Sequence, residues 1–235
     1  MKKVLFISLV LILGLAASVW ADMIPVPETA WTGSRSTPEA SGVVAYDGWT
    51  STYDGFKISW EITLSGNALY PFSYSYALTD LDGDLLRKTP SHFILETSLD
   101  LPASGLSFDG KLEGPKLWEG SGDDKPNPYL PTSIWGFKFD EGLNTYSFLS
   151  KVAPIWGDFY VVDGEQGGGV KILAVAYNSG IGFDPTSSTT NFTPWIPVPD
   201  TDGGGGQEVP EPSTLLLIGT GLLGLGLYGR GKFRK

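Results

Sequence analysis

The chain has 235 residues, no cysteine, one histidine and a formal net charge of −10. Without cysteine it forms no disulfides, zinc–thiolate sites, iron–sulfur clusters or thiol nucleophiles, and a lone histidine excludes a multi-histidine metal site. Residues 22–207 carry 24 acidic and 10 basic side chains, and this net of −14 argues against nucleic acid or anionic lipid as partner; it suits solubility, divalent cations or cationic polymers.

Residues 1–21 read as an export signal peptide. Lys2 and Lys3 form a positive start, residues 4–17 are almost unbroken apolar, and Val19 and Ala21 place small residues before a cut at Asp22. The alternative is an uncleaved anchor, but the run is shorter than the roughly 20 apolar residues a bilayer needs. Residues 22–41 then read as an extended segment leading into a domain over 42–200. With both ends removed, about 180 residues remain, enough for one domain that buries roughly 70% of its unfolded surface.

From residue 42 onward the hydrophobic period is two. Phe56, Ile58, Trp60, Ile62 and Leu64 alternate with Lys57, Ser59, Glu61 and Thr63, and Tyr70, Phe72, Tyr74, Tyr76 and Leu78 alternate with smaller or polar residues. Shorter strands are expected over 42–46, 91–97, 134–139, 145–149, 158–162 and 170–177. Asp-Gly turns at Asp54-Gly55, Asp82-Gly83, Asp109-Gly110 and Asp163-Gly164 separate them. About eight strands with one apolar and one polar face predict an all-β fold: a single antiparallel β-sandwich, jelly-roll-like, with a closed barrel as runner-up. The stretch over 114–131 is rich in Pro, Asp and Gly and reads as a long loop.

Asp80-Leu81-Asp82-Gly83-Asp84 is the candidate metal site. Asp80, Asp82 and Asp84 could converge on a hard cation such as Ca²⁺, which takes six to eight oxygens. The EF-hand spacing fails because Gly83 separates the second and third Asp, so further ligands such as Asp123 or Asp124 would be needed. The competing account is an acidic hairpin turn. His92 alone could do imidazole acid–base work, yet no G-x-S-x-G elbow accompanies it, and a structural role bonded to backbone or a carboxylate is favoured. Carboxylate pairs for glycoside hydrolysis are numerous, and spacing selects none. No catalytic residue is nominated. Asn191-Phe192-Thr193 matches a glycosylation sequon, a three-residue pattern that carries no weight alone.

Large aromatics make a cysteine-free core feasible, since each buries about 150–250 Å². Trp118 and Tyr129, with Trp49 and Trp195, lie in loop-like polar surroundings and are the candidate glycan-stacking residues, packing under a loop being the alternative. Ile24-Pro25-Val26-Pro27-Glu28-Thr29 and Ile196-Pro197-Val198-Pro199-Asp200-Thr201 are nearly the same hexapeptide. Shared linker composition is one explanation; extended edge segments running side by side is the other.

A glycine-rich linker over 201–208 precedes the tail. Val209, Pro210, Glu211 and Pro212 open it, residues 215–228 are apolar, and Arg230, Lys232, Arg234 and Lys235 close it. An apolar run before a basic cluster is a stop-transfer layout with the cations on the cytoplasmic side. Fourteen helical residues reach only about 21 Å against a hydrocarbon core of about 30 Å, a poor permanent anchor but a good recognition element. Gly219-Thr220-Gly221-Leu222-Leu223-Gly224 fits the dinucleotide fingerprint by pattern only, because no strand or βαβ unit surrounds it.

The order Pro-Glu-Pro, short apolar helix, basic end over 209–235 resembles the PEP-CTERM sorting domain of Gram-negative bacteria. The resemblance implies an exosortase as partner, acting at or near Pro210-Glu211-Pro212, contact with the inner membrane through residues 215–228, and an association with exopolysaccharide and biofilm matrix. Segments 91–96, 135–140 and 153–160 resemble parts of PEP-CTERM ectodomains and imply no activity. The expectation is therefore an exported, surface-anchored, non-catalytic protein without a required cofactor. A glycan-binding module is the alternative, and a carboxylate-pair hydrolase is the third reading.

Overall fold

The computed structural model describes residues 24–120, 127–140, 142–163 and 174–200. In chain order the strands are β1 (Thr32–Ser36), β2 (Val43–Asp47), β3 (Lys57–Leu64), β4 (Phe72–Thr79), β5 (Pro90–Glu96), β6 (Leu106–Ser107), β7 (Leu112–Trp118), β8 (Ile134–Phe139), β9 (Thr145–Ser150), β10 (Pro154–Gly157), β11 (Phe159–Asp163), β12 (Ala174–Asn178) and β13 (Ile196–Pro199). Each of the eight expected strands has a counterpart, the one expected over 170–177 being described from Ala174 onward. Helical structure among the described residues is confined to four three-residue 3₁₀ turns.

The strands form a five-stranded sheet in the order β1-β3-β4-β9-β6, a six-stranded sheet in the order β2-β12-β11-β5-β8-β7, and a two-stranded β10-β13 pair. All the strand pairings are antiparallel. The described strands thus make separate sheets packed face to face, with no closed barrel. The segment before residue 42 belongs to them, because β1 pairs with β3.

The five-stranded sheet follows the expected in–out rule. Ile58, Trp60 and Ile62 of β3, Tyr74, Tyr76 and Leu78 of β4, and Tyr146 and Phe148 of β9 are buried between the sheets. Across from them lie Phe93, Leu95, Phe137, Phe139, Phe159 and Val161 of the six-stranded sheet. Rings dominate this core; Phe139, for example, packs against Phe93 at 5.7 Å, Phe148 at 5.1 Å and Tyr146 at 5.7 Å. Such aromatic contacts add to the area each ring removes from water.

The outer face of the same sheet carries small polar side chains in register. One row across four strands reads Thr32, Glu61, Ser75, Ser147, and the next reads Ser34, Ser59, Ala77, Thr145. Flanking rows are Ser36, Lys57, Thr79 on one side and Thr63, Ser73, Leu149, Ser107 on the other. None of these positions is buried in β1, β3, β4 or β9.

The six-stranded sheet departs from the expected polar outer face. A second apolar cluster (Ile94, Trp118, Leu130, Ile134, Tyr160, Val162, Val175, Tyr177 and Ile181) covers its far side. Strands β11 and β12 are consequently buried at every position. Residues 159–162 and 174–177 are accordingly continuous apolar runs, where one polar face was expected.

Candidate functional site

A buried polar centre lies where β5, β10, β11 and β12 meet. Glu96 ends β5, Asp158 sits between β10 and β11, and Asn178 ends β12. Antiparallel pairing of β11 with β5 and with β12 brings these three strand ends together. Glu96 Oε2 accepts the Asp158 amide hydrogen at 2.6 Å. Asp158 Oδ1 accepts from Asn178 Nδ2 at 2.6 Å, and its Oδ2 accepts from the Gly182 amide at 2.7 Å. Asn178 in turn accepts from the Phe159 amide at 2.8 Å and donates to the Pro194 carbonyl at 2.9 Å.

Glu96, Asp158 and Asp200 are each no more than 5% exposed. Burial pushes the Glu96 carboxyl well above its ordinary range, and the nearby Asp158, Asp200 and Asp184 charges push the same way. Burial likewise raises Asp158 to about 7, opposed by the hydrogen bonds from Gly182 and Asn178. Two acids that favour protonation near neutrality could in principle exchange protons with a substrate. Here, however, the described acceptor contacts go to backbone amides and to Asn178, joining three strand ends. Spacing did not single this centre out, since Glu96 and Asp158 lie 62 residues apart.

Asp80, Asp82 and Asp84 form a self-contained turn. Asp80 Oδ1 accepts the amide hydrogens of Asp82 at 3.0 Å and Asp84 at 2.8 Å, and the Asp80 amide donates to the Asp84 carbonyl at 3.0 Å. Among the described residues no group of three or more His, Cys, Asp or Glu side chains is arranged to hold a metal ion. Asp123 and Asp124 lie outside the described residues.

His92 is buried, and its Nε2–H points to Asn127 Oδ1 at 3.0 Å. Burial lowers its pKa to about 4, although the Asn127 bond opposes the shift. Asn127 passes the connection on, donating to the Glu119 carbonyl at 2.9 Å. The histidine therefore pins the chain around Asn127 over the sheet as a neutral ring.

The aromatic candidates divide. Trp118 is corrected from a loop residue to the last residue of β7, in a stretch expected to be a loop throughout. It is 8% exposed, and its Nε1 donates to the Gly136 carbonyl at 2.8 Å. Lys116 and Lys138 lie over the ring, with Nζ 4.1 Å and 5.2 Å from its centroid. Trp49 packs at 5.2 Å from Phe56, and Trp195 donates to the Phe183 carbonyl at 2.6 Å. These three indoles are buried and are not open stacking platforms. Tyr129 differs. It is 43% exposed, adopts φ +58° and stacks on Tyr46 with ring centroids 4.9 Å apart and planes within 8°.

Charges gather on β7 and β8. Glu113 meets Lys138 at 3.1 Å and Lys116 at 3.2 Å, while Asp140 meets Lys111 and, at 3.4 Å, Lys138. Hydrogen bonds from Lys138 and Lys116 hold Glu113 below the usual carboxylate range, and Lys111 does the same for Asp140.

Signal residues Ala21 and Asp22 and the tail residues Val209, Pro210, Glu211, Pro212, Arg230, Lys232, Arg234 and Lys235 lie outside the described residues, as do the proposed membrane segment 215–228 and the linker 201–208. Residues 208–235 match the PEP-CTERM protein-sorting motif. That motif implies an exported protein that an exosortase sorts to the cell surface. No curated protein and no solved structure matches the chain.

Proposed function

We propose that the β-sandwich of this exosortase-sorted chain is a non-catalytic surface module that contacts exopolysaccharide in the surrounding matrix. The observation that carries this reading is the Glu96–Asp158–Asn178 centre. The carboxyl pair best suited to chemistry is committed to the Asp158 and Gly182 backbone amides and to the Asn178 side chain, joining strand ends. Its burial keeps a polymeric substrate away from the acids. The acidic surface favours solubility and a partner that is not polyanionic.

Mass spectrometry of the native protein, combined with cell fractionation, tests this assignment. The expected mature species begins at Asp22, is processed near Pro210-Glu211-Pro212, and resides in the envelope or matrix fraction. An intact 235-residue chain in the cytosol would overturn the sorting part. Turnover of an envelope polysaccharide that disappears in Glu96→Gln would overturn the non-catalytic part.

A second reading is a sugar-binding module at Tyr129. Its support is the exposed ring held parallel to Tyr46, at a backbone angle that costs a non-glycine residue on the order of 1 kcal/mol.

A further inference from the structure

We propose that the outer face of the five-stranded sheet is the surface that binds a neutral, extended polysaccharide. The proposal deepens the matrix-contact reading above and rests on it. Of the fifteen side chains in the four outer rows, eleven are Ser or Thr and only Lys57 and Glu61 are charged. Those two charges cancel, whereas residues 22–207 as a whole have 24 acids against 10 bases.

The geometry makes this face a grid. Neighbouring strands lie about 4.8 Å apart, and same-face residues along a strand recur about every 6.8 Å. The two central rows place Thr32, Ser75 and Ser147 beside Ser34, Ser59 and Thr145, with no long side chain except Glu61 standing among them. Each hydroxyl both donates and accepts. Ser75 and Ser147 already bond across strands at 3.0 Å, which fixes one oxygen pair in place.

A short hydroxyl loses little rotamer entropy when it is ordered against a partner, unlike lysine or glutamate. A grid of donors and acceptors with no net charge matches a partner of the same chemistry: a polymer dense in hydroxyls and without carboxylate or ammonium groups. A polyanionic chain would gain no charge attraction here and would meet the repulsion of the domain. An apolar peptide would bury the hydroxyls without partners, which is unfavourable.

The test uses the full-length chain in detergent, with amorphous cellulose and chitin as neutral probes and alginate as an anionic one. The expected result is retention on a neutral probe, weakened at least tenfold in Ser59→Lys/Ser75→Lys at an unchanged melting temperature. If that double variant does not fold, Ser34→Lys on the exposed edge strand β1 takes its place, with a weakening of at least threefold. Tyr129→Ala should leave retention intact. Equal retention of the lysine variants, loss in Tyr129→Ala alone, tighter binding to alginate, or no binding to either neutral probe would each overturn the proposal. Fractionation of the same strain separates this from a failure of the surface assignment, because a correctly exported protein that ignores cellulose and chitin sinks only the binding face.

Discussion

Glu96 Oε2 lies 2.6 Å from the Asp158 amide nitrogen, so a buried carboxyl caps the residue whose own carboxyl is also buried. Burial and the neighbouring acids push Glu96 well above its ordinary value, and burial raises Asp158 from 3.8 to about 7. The folded state therefore holds protons that the unfolded chain releases. The stabilising contribution is fully present below about pH 4 and is lost as pH rises through about 7. Glu96→Gln keeps an oxygen acceptor and removes the charge. Its melting temperature at pH 8 should exceed that of the wild type by roughly 2–4 °C for each kcal/mol relieved, with the two curves converging toward pH 4. Parallel curves from pH 4 to 8 would refute the assignment.

His92 predicts the opposite slope. Its pKa falls from 6.5 to about 4 on folding, chiefly through burial. The unfolded chain then binds the extra proton, and stability declines as pH drops from about 6.5 towards 4. His92→Gln can still donate to Asn127 Oδ1 and does not titrate. It should lose about 1 kcal/mol of ring packing at pH 7 and show a shallower decline between pH 6.5 and 4. Chemical denaturation at a series of pH values measures both. An undiminished acid slope would assign it to other groups.

Arg35 links three parts of the fold. Its guanidinium donates to the carbonyls of Thr193 at 2.7 Å, Ser34 at 2.9 Å and Phe192 at 3.0 Å. It also lies 5.0 Å from the Trp60 ring centroid and 5.7 Å from that of Trp156. Lysine keeps the charge but cannot reproduce a planar five-donor fork between two indoles. Arg35→Lys should cost about 2 kcal/mol, or roughly 4–8 °C in melting temperature. A shift under 1 °C would show that the fork contributes little.

Strands β3, β4 and β9 were legible because their side chains alternate between water and core, and β11 and β12 were legible as short apolar runs between turn signals. Strands β1, β6, β7, β10 and β13 were not. Thr32-Gly33-Ser34-Arg35-Ser36 has no apolar alternation, because the strand's inward position at Gly33 is filled by the Trp60 ring; a Cβ on Gly33 would come within 2.5 Å of that ring. Gly114-Pro115 in β7 reads as a loop signal, and Trp118 falls within the stretch that this signal assigns to a loop. The carboxyl centre was illegible for a different reason, since sequence spacing carries no information about which strand ends converge. The sorting tail was legible because export machinery reads linear chemistry, and no folding is needed to display it.

The paired proline hexapeptides illustrate a pattern whose meaning only packing supplies. Pro25 bridges Ile155 on one side of β10, and β13 pairs with the other side, with Val198 opposite Ile155. Pro25 of the first repeat and Ile196–Pro199 of the second thus flank one short strand, in keeping with the edge positions that proline tolerates, while Glu28 and Thr29 of the first turn away into a 3₁₀ turn. The buried Tyr76 hydroxyl donates to the Pro197 carbonyl at 2.7 Å, and Thr97 Oγ1 donates to Pro199 at 2.7 Å. Tyr76→Phe leaves the Pro197 carbonyl without that donor and should cost about 1–2 kcal/mol. Because the lost bond holds β13 against the main sheets, amide exchange should accelerate at Ile196 and Val198 more than in β3 or β4. Tyr74→Phe is the control: its hydroxyl donates to the partly buried Val152 carbonyl at 3.1 Å. It should cost less and leave β13 exchange unchanged. Uniform acceleration across all strands in Tyr76→Phe would mean that the hydroxyl supports the whole core and not the β13 attachment.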